Sequence, residues 1–190
     1  MQKIDTVFCL SASSELYGKW IRRITKSPVN HSFMLFRHPE FSGDRWWAIQ
    51  VAGHGVVVEP AKFVIEDDRL IHLECYQCRT ADLWKGVESN FDAFGADYDW
   101  SGIFGFLVMI EVKRLLGLRI PNLYHGSGKY FCSEFTASIL KRSELPWAKC
   151  LIPSTVSPAN LREMIRPRLG LEWAQVPSPI HTVVDAFKPI

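Results

Sequence analysis

A change of hydrophobic period near Ala81 constrains this chain more than any other feature. Before it, apolar residues come in short bursts divided by turn signals. IDTVFCL (4–10), HSFMLFR (31–37), RWWAIQVA (45–52), VVVEP (56–60) and RLIHLECYQ (69–77) read as strands. HPEFSGD and Gly53-His54-Gly55 supply turns between them. One helix interrupts the series, in SASSELYGKWIRRITKS. Its stripe is Leu16, Trp20, Ile21 and Ile24, with Ser13 as N-cap and Pro28 as stop. After Ala81 the apolar residues recur at helical spacing. Leu83, Val87 and Phe91 predict a helix in TADLWKGVESNFDAF, residues 103–116 a second, and Phe131, Phe135 and Ile139 a third, amphipathic one. Strands followed by helices predict an α+β fold, an antiparallel sheet packed against helices.

The chain has 190 residues, 47% of them apolar, enough for the core of one domain spanning 1–190. Residues 143–190 are Pro-rich and predict an extension wrapping that domain. SPANLREMI interrupts it as a short helix, with Ser157 capping and Pro158 at the first position. A net charge of +2, spread over scattered basic clusters, gives no footprint for nucleic acid. Five cysteines in no regular framework, and an N-terminus lacking the basic start and long apolar core of a leader, predict free thiols in a cytoplasmic setting. Action elsewhere would then require delivery by a phage particle, lysis or a secretion machine. GIFGFLVMI (102–110) is the most apolar run. Glu111, Lys113 and Arg114 end it short of the about 20 residues of a membrane span. It predicts a buried helix, with peripheral membrane contact as the alternative.

The chemistry centres on KYFCSEFTASIL (129–140). Cys132 falls in the first turn of the third predicted helix, at the positive end of its dipole, where a thiol pKa is lowered. Two readings of Cys132 are open at this point: a reactive thiolate, or a small buried hydrophobe. The first requires a base. His31 opens a strand directly after a helix and a Pro-containing turn, with Phe33 and Leu35 in register to shield it. On the next strand Trp46, Ala48 and Gln50 share one face, and Trp47, Ile49 and Val51 the other. Facing inward, the Gln50 amide needs a partner, and an imidazole N–H is a suitable one. Facing solvent, it needs none. His125, in the YHGSGK loop ahead of Cys132, is the rival base.

The succession IRRITKSPVNHS, strand, AIQVAGHGVVVEP, ADYDWSG and YFCSEF resembles the circularly permuted branch of the NlpC-type papain-like cysteine peptidases, the YiiX-like group. The resemblance covers roughly residues 1–142. It implies a permuted papain-like fold in which the histidine precedes the nucleophile, and a hydrolase that needs no metal or organic cofactor. Carried over by position, Cys132 matches the nucleophile and His31 the general base. Gln50 stands where relatives typically have a carboxylate or another polar group. A glutamine can orient imidazole, but it carries no charge to stabilise imidazolium. Tyr98, in ADYDW, resembles a loop tyrosine beside such sites that helps bind the substrate carbonyl. The Cys132 amide, at a helix start, suits an oxyanion. Implied substrates are peptides or cell-wall peptides. Acyl-lipids are the alternative, by similarity to lecithin retinol acyltransferase-like enzymes, and a catalytically silent binding module is a further one.

Other signals have simpler accounts. Cys75 and Cys78 form a C-x-x-C beside His72, but zinc modules need a second pair, and on a strand these two face opposite sides. His54 lies between turn glycines, and His38 and His181 carry no supporting pattern. Asp97 and Asp99 read as turn residues.

Overall fold

The computed structural model of the protein describes residues 5–38, 45–78, 82–118, 128–143, 145–168 and 171–174. Six strands form one antiparallel sheet: β1 (Asp5–Ser13), β2 (His31–Arg37), β3 (Trp47–Ala52), β4 (Gly55–Pro60), β5 (Leu70–Cys78) and β6 (Leu171–Ala174), in the order β4-β3-β2-β1-β5-β6. The helices are α1 (Leu16–Thr25), α2 (Ala61–Ile65), α3 (Asp82–Glu88), α4 (Trp100–Leu116), α5 (Cys132–Arg142) and α6 (Pro158–Ile165). The class is α+β, as the period change predicts. Helix α2 and three single 3-10 turns (91–93, 146–148 and 153–155) were not legible in the sequence.

β1 is the central strand, and it is buried on both faces. Phe8 and Leu10 join the main core with Met34, Phe36, Ile49, Val51 and Tyr76, against α3, α5 and α6. On the reverse face Val7, Cys9, Phe33, Leu35 and Ala48 pack with Trp46, Leu73 and α2 residues Ala61 and Ile65. The alternation predicted for β3 holds, with Trp46 and Ala48 on one face and Ile49 and Val51 on the other. Gly55, beside the Gly53-His54 turn, has φ 112°, and an added Cβ would lie 2.1 Å from the Ala96 carbonyl oxygen. That close approach requires glycine and brings the β3–β4 hairpin against the loop that carries Tyr98.

Four local expectations need correction. Ser13 is not the cap of α1. It ends β1, where its N–H donates to Asn30 Oδ1 at 3.1 Å, and Glu15 holds the cap position. The helix predicted to reach Phe91 stops at Glu88, and Phe91 is half exposed. Helix α5 is not amphipathic in its surroundings. Every residue from Cys132 to Leu140 is buried, because the sheet, α3, Phe106 of α4 and the segment before α6 enclose it. Its buried serines are bonded: Ser133 Oγ donates to Val156 O at 2.7 Å, and Ser138 Oγ donates to Asn90 Oδ1 at 2.9 Å. Conversely α4, predicted to be buried, is not. Only Gly102, Gly105 and Phe106 are buried, while Phe104 is 63% and Leu115 71% exposed. No helix among the described residues is long and apolar enough to cross a membrane.

In the C-terminal region, the Ser157 cap and Pro158 at the first position of α6 are as predicted, and Asn160 completes a capping box. Helix α6 is tied to the sheet through Arg162, whose Nε donates to Oε2 of the buried Glu74 at 2.9 Å while its Nη2 lies 2.8 Å from Oε1, a bidentate pair.

Candidate active site

Cys132 is the first residue of α5, and Phe131 precedes it in extended conformation with no side-chain cap. The first-turn amides are therefore available to a ligand or a side chain rather than to a cap. The Cys132 thiol donates to the Asn30 carbonyl at 3.9 Å, and the nearby backbone N–H groups of Ser133 and of Ser32 on β2 favour its thiolate form. Helix and strand are locked at this point. Ser32 Oγ lies 2.8 Å from Thr136 Oγ1, and Thr136 donates to the Cys132 carbonyl at 3.0 Å.

His31 opens β2 opposite Ser11 and stacks on Phe33, the neighbour its register predicts, with ring centroids 5.9 Å apart. Its Nε2 lies 2.8 Å from Gln50 Oε1, and Gln50 Nε2 donates to Glu59 Oε1 at 2.6 Å. This chain of bonds decides a tautomer. A carboxylate only accepts, so the Gln50 amide must turn its NH₂ toward Glu59 and its oxygen toward His31. The imidazole then carries its proton on Nε2, which leaves Nδ1 as the acceptor nitrogen, and the ring is electrostatically coupled to the nearby Cys132 thiol. Gln50 thus faces inward. Glu59 was not foreseen. In β3–β4 register it sits opposite Ala48 and diagonal to Gln50 on the same face. Its one sequence signal is a carboxylate in the otherwise apolar VVVEP strand.

The electrostatics couple the pair. Burial pushes the Cys132 thiol up, but the charge of the nearby His31 imidazole, with the two backbone amides, brings it below its ordinary value. Burial likewise lowers His31, but the Cys132 sulfur, the Gln50 oxygen and the charge of Glu15 raise it above its ordinary value. Such opposed shifts favour thiolate and imidazolium together.

Both side chains open into a cavity of about 490 Å³ shared with Gln50, Glu59, Tyr98 and Trp100. Tyr98 is held by bonds on either side of it: Asp99 N–H donates to Tyr130 O at 2.9 Å and Tyr130 N–H to Asp97 O at 3.2 Å. Burial, then the nearby Cys132 charge, raise its phenol well above the ordinary tyrosine value. Asp99, read from sequence as a turn residue, caps α4 by accepting from Gly102 N–H at 2.7 Å. His54 borders the cavity from the β3–β4 turn. His38 packs on Trp84, and His72 bonds Glu74 at 3.0 Å. His125 and His181 lie outside the described residues, as does the Cys78 side chain. Cys75 pairs instead with Cys9, their sulfurs 3.6 Å apart. No three metal-ligating side chains converge among the described residues. Searches against protein-family models and against curated proteins find no match for this chain.

Proposed function

We propose that the protein is a cysteine hydrolase that cleaves an amide through an acyl-enzyme, on a permuted papain-like fold of the YiiX-like type. The single observation that carries this reading is the His31–Gln50–Glu59 chain of hydrogen bonds, which orients an imidazole on the same cavity as the Cys132 thiol to which it is electrostatically coupled. A merely structural cysteine needs no such support.

In the proposed reaction the Cys132 thiolate attacks the carbonyl carbon. The oxyanion meets the Cys132 N–H at the start of α5, with Tyr98 on the same cavity wall. His31, protonated on both nitrogens, delivers the Nδ1 proton to the leaving nitrogen as the C–N bond breaks. Water then enters, His31 takes its proton, and hydroxide displaces the sulfur to release the acid. Gln50 keeps the ring aimed throughout, and Glu59 keeps Gln50 aimed.

The test is covalent trapping. Purified protein is treated with peptidyl and acyl electrophiles and mapped by mass spectrometry, alongside iodoacetamide at about pH 6. We expect stoichiometric adducts on Cys132 and alkylation faster than that of a free thiol. Alkylation no faster than glutathione, with no adduct from either probe class, would sink the hydrolase reading and leave a binding module on this fold.

A further inference from the structure

The residue that precedes His31 is itself clamped. Asn30 is buried and lines the cavity that holds Cys132 and His31. Its Oδ1 accepts from the Ser13 N–H at 3.1 Å and from Arg22 Nη1 at 2.7 Å. Arg22 Nη1 also donates to the Ser13 carbonyl at 2.7 Å. One guanidinium on α1 therefore holds both the end of β1 and the residue that leads into β2. The Asn30 main chain is engaged as well. Its N–H donates to Ser11 O at 2.9 Å, and its carbonyl accepts from the Cys132 thiol at 3.9 Å. Ordered pairing of β1 with β2 ends at the Ser11–His31 pair. One step beyond it the Asn30 side chain, and not a strand, bonds the Ser13 N–H, at the point where β1 also shifts register against β5.

We infer that Arg22 is a positioning residue for the proposed reaction, acting through Asn30 to hold the His31 main chain and the Cys132 thiol in one geometry; the inference rests on the hydrolase reading above. Three observations carry it. A strand end that lacks ladder bonds frays, and this strand end bears the proposed base. The Arg22 bond to Asn30 is charge-assisted and half-buried, so it holds the amide more firmly than the Ser13 N–H does alone. With two donors on Oδ1 the amide has one orientation, and it cannot turn without losing both. Helix α1 is also packed to deliver that bond. Gly18, one turn before Arg22, is buried, and a Cβ added there would lie 2.7 Å from Ser13 Oγ and 3.0 Å from Asn30 Nδ2. Without Arg22 the amide keeps a single donor. The Asn30 carbonyl that meets the thiol, and the peptide that opens β2, are then free to shift together, because they belong to one residue.

The experiment follows alkylation of Cys132 by iodoacetamide against pH on the full chain, with thermal melts of the same samples. Arg22→Met should slow alkylation near pH 6 by about tenfold, as the acid limb moves about one unit toward the ordinary thiol value. Asn30→Ala leaves the guanidinium charge in place and should move the limb as far. The double variant should be no slower than Asn30→Ala, because the two residues act through one bond. Asn30→Asp keeps an acceptor for both donors and should bring the limb back toward wild type. The titratable groups that share the cavity with the pair are Glu15, Tyr17, His54, Glu59, Tyr98 and the Asp67–Arg69 ion pair. None of them changes in these variants, so the limb reports the geometry of the pair. Where Arg22→Met fails to fold, Arg22→Gln, which keeps much of the stem without the charge, takes its place. A lowered melting midpoint with the acid limb of the folded protein unmoved would overturn the positioning role and leave the hydrolase reading standing. Wild-type protein no more reactive than glutathione would remove the hydrolase reading, and the positioning role with it.

Discussion

Ser32 Oγ and Thr136 Oγ1 sit 2.8 Å apart, fully buried, and join β2 to α5 one residue from His31 and one turn from Cys132. This bond sets the spacing of base and nucleophile from behind, without touching the cavity. Ser32→Ala should lower thermal stability by about 1–2 kcal/mol, as for a buried hydroxyl left without its partner. It should also cost about tenfold in kcat with little change in KM, because small misplacements of reacting groups are expensive. Thr136→Ser, which keeps the hydroxyl, should retain most of the rate. Calorimetry and steady-state kinetics on the three proteins check this.

The opposed shifts of Cys132 and His31 predict a bell-shaped pH profile. The acidic limb follows the thiol, whose pKa lies below the ordinary cysteine value, so activity appears as pH rises through that lowered pKa. The alkaline limb follows the imidazole, whose pKa lies above the ordinary 6.5, so activity falls as pH rises through it. Cys132→Ser and His31→Ala should each lose about 10⁴-fold or more in kcat/KM. Alkylation rate against pH, measured for wild type and His31→Ala, tests the coupling: without the imidazole, reactivity should appear only at a higher pH.

Gln50 and Glu59 should behave as one unit. Gln50→Ala removes a hydrogen bond that favours imidazolium, so it should move the alkaline limb to lower pH and cost about 10–10²-fold in kcat. Glu59→Ala leaves Gln50 free to present its NH₂ to the ring, and should lose about tenfold. The double variant should be little worse than Gln50→Ala alone, since the two act through the same bond. Multiplicative losses in a double-mutant cycle would show that Glu59 acts elsewhere.

The Glu74–Arg162 pair should govern acid stability. Burial alone would raise the Glu74 carboxyl, but bonds from His72, Tyr76 and Arg162 hold it down to about 2. A lowered carboxyl contributes stability above its unfolded value of 4.5, and the contribution fades as pH falls toward about 2. Arg162→Met strands the buried carboxylate and should destabilise by about 3–5 kcal/mol near neutrality. The deficit should shrink below pH 4.5 as Glu74 protonates. Denaturant midpoints across that range measure both effects.

Much of the site could be read from local chemistry. His31 at a strand opening, Cys132 in a first helical turn and the two faces of β3 follow from period and position, which depend only on near neighbours along the chain. Ser157 and Pro158 were legible for the same reason, because a cap is a contact within four residues. Other features were settled by packing. Glu59 enters the site only because β4 pairs with β3 in one register, which sets a carboxylate diagonal to an amide nine residues earlier. The burial of every side of α5 depends on which elements enclose it, and its alternating polar residues read from sequence as a solvent face. The exposure of α4 is the converse: an apolar run has the same composition whether it faces a core or a groove. Sequence by itself determined the α+β class and proposed the cysteine, histidine and glutamine. The tertiary structure decided that these three line one cavity, that a carboxylate stands behind the glutamine and that an apolar groove opens between α1 and α4, because these relations join side chains far apart in sequence.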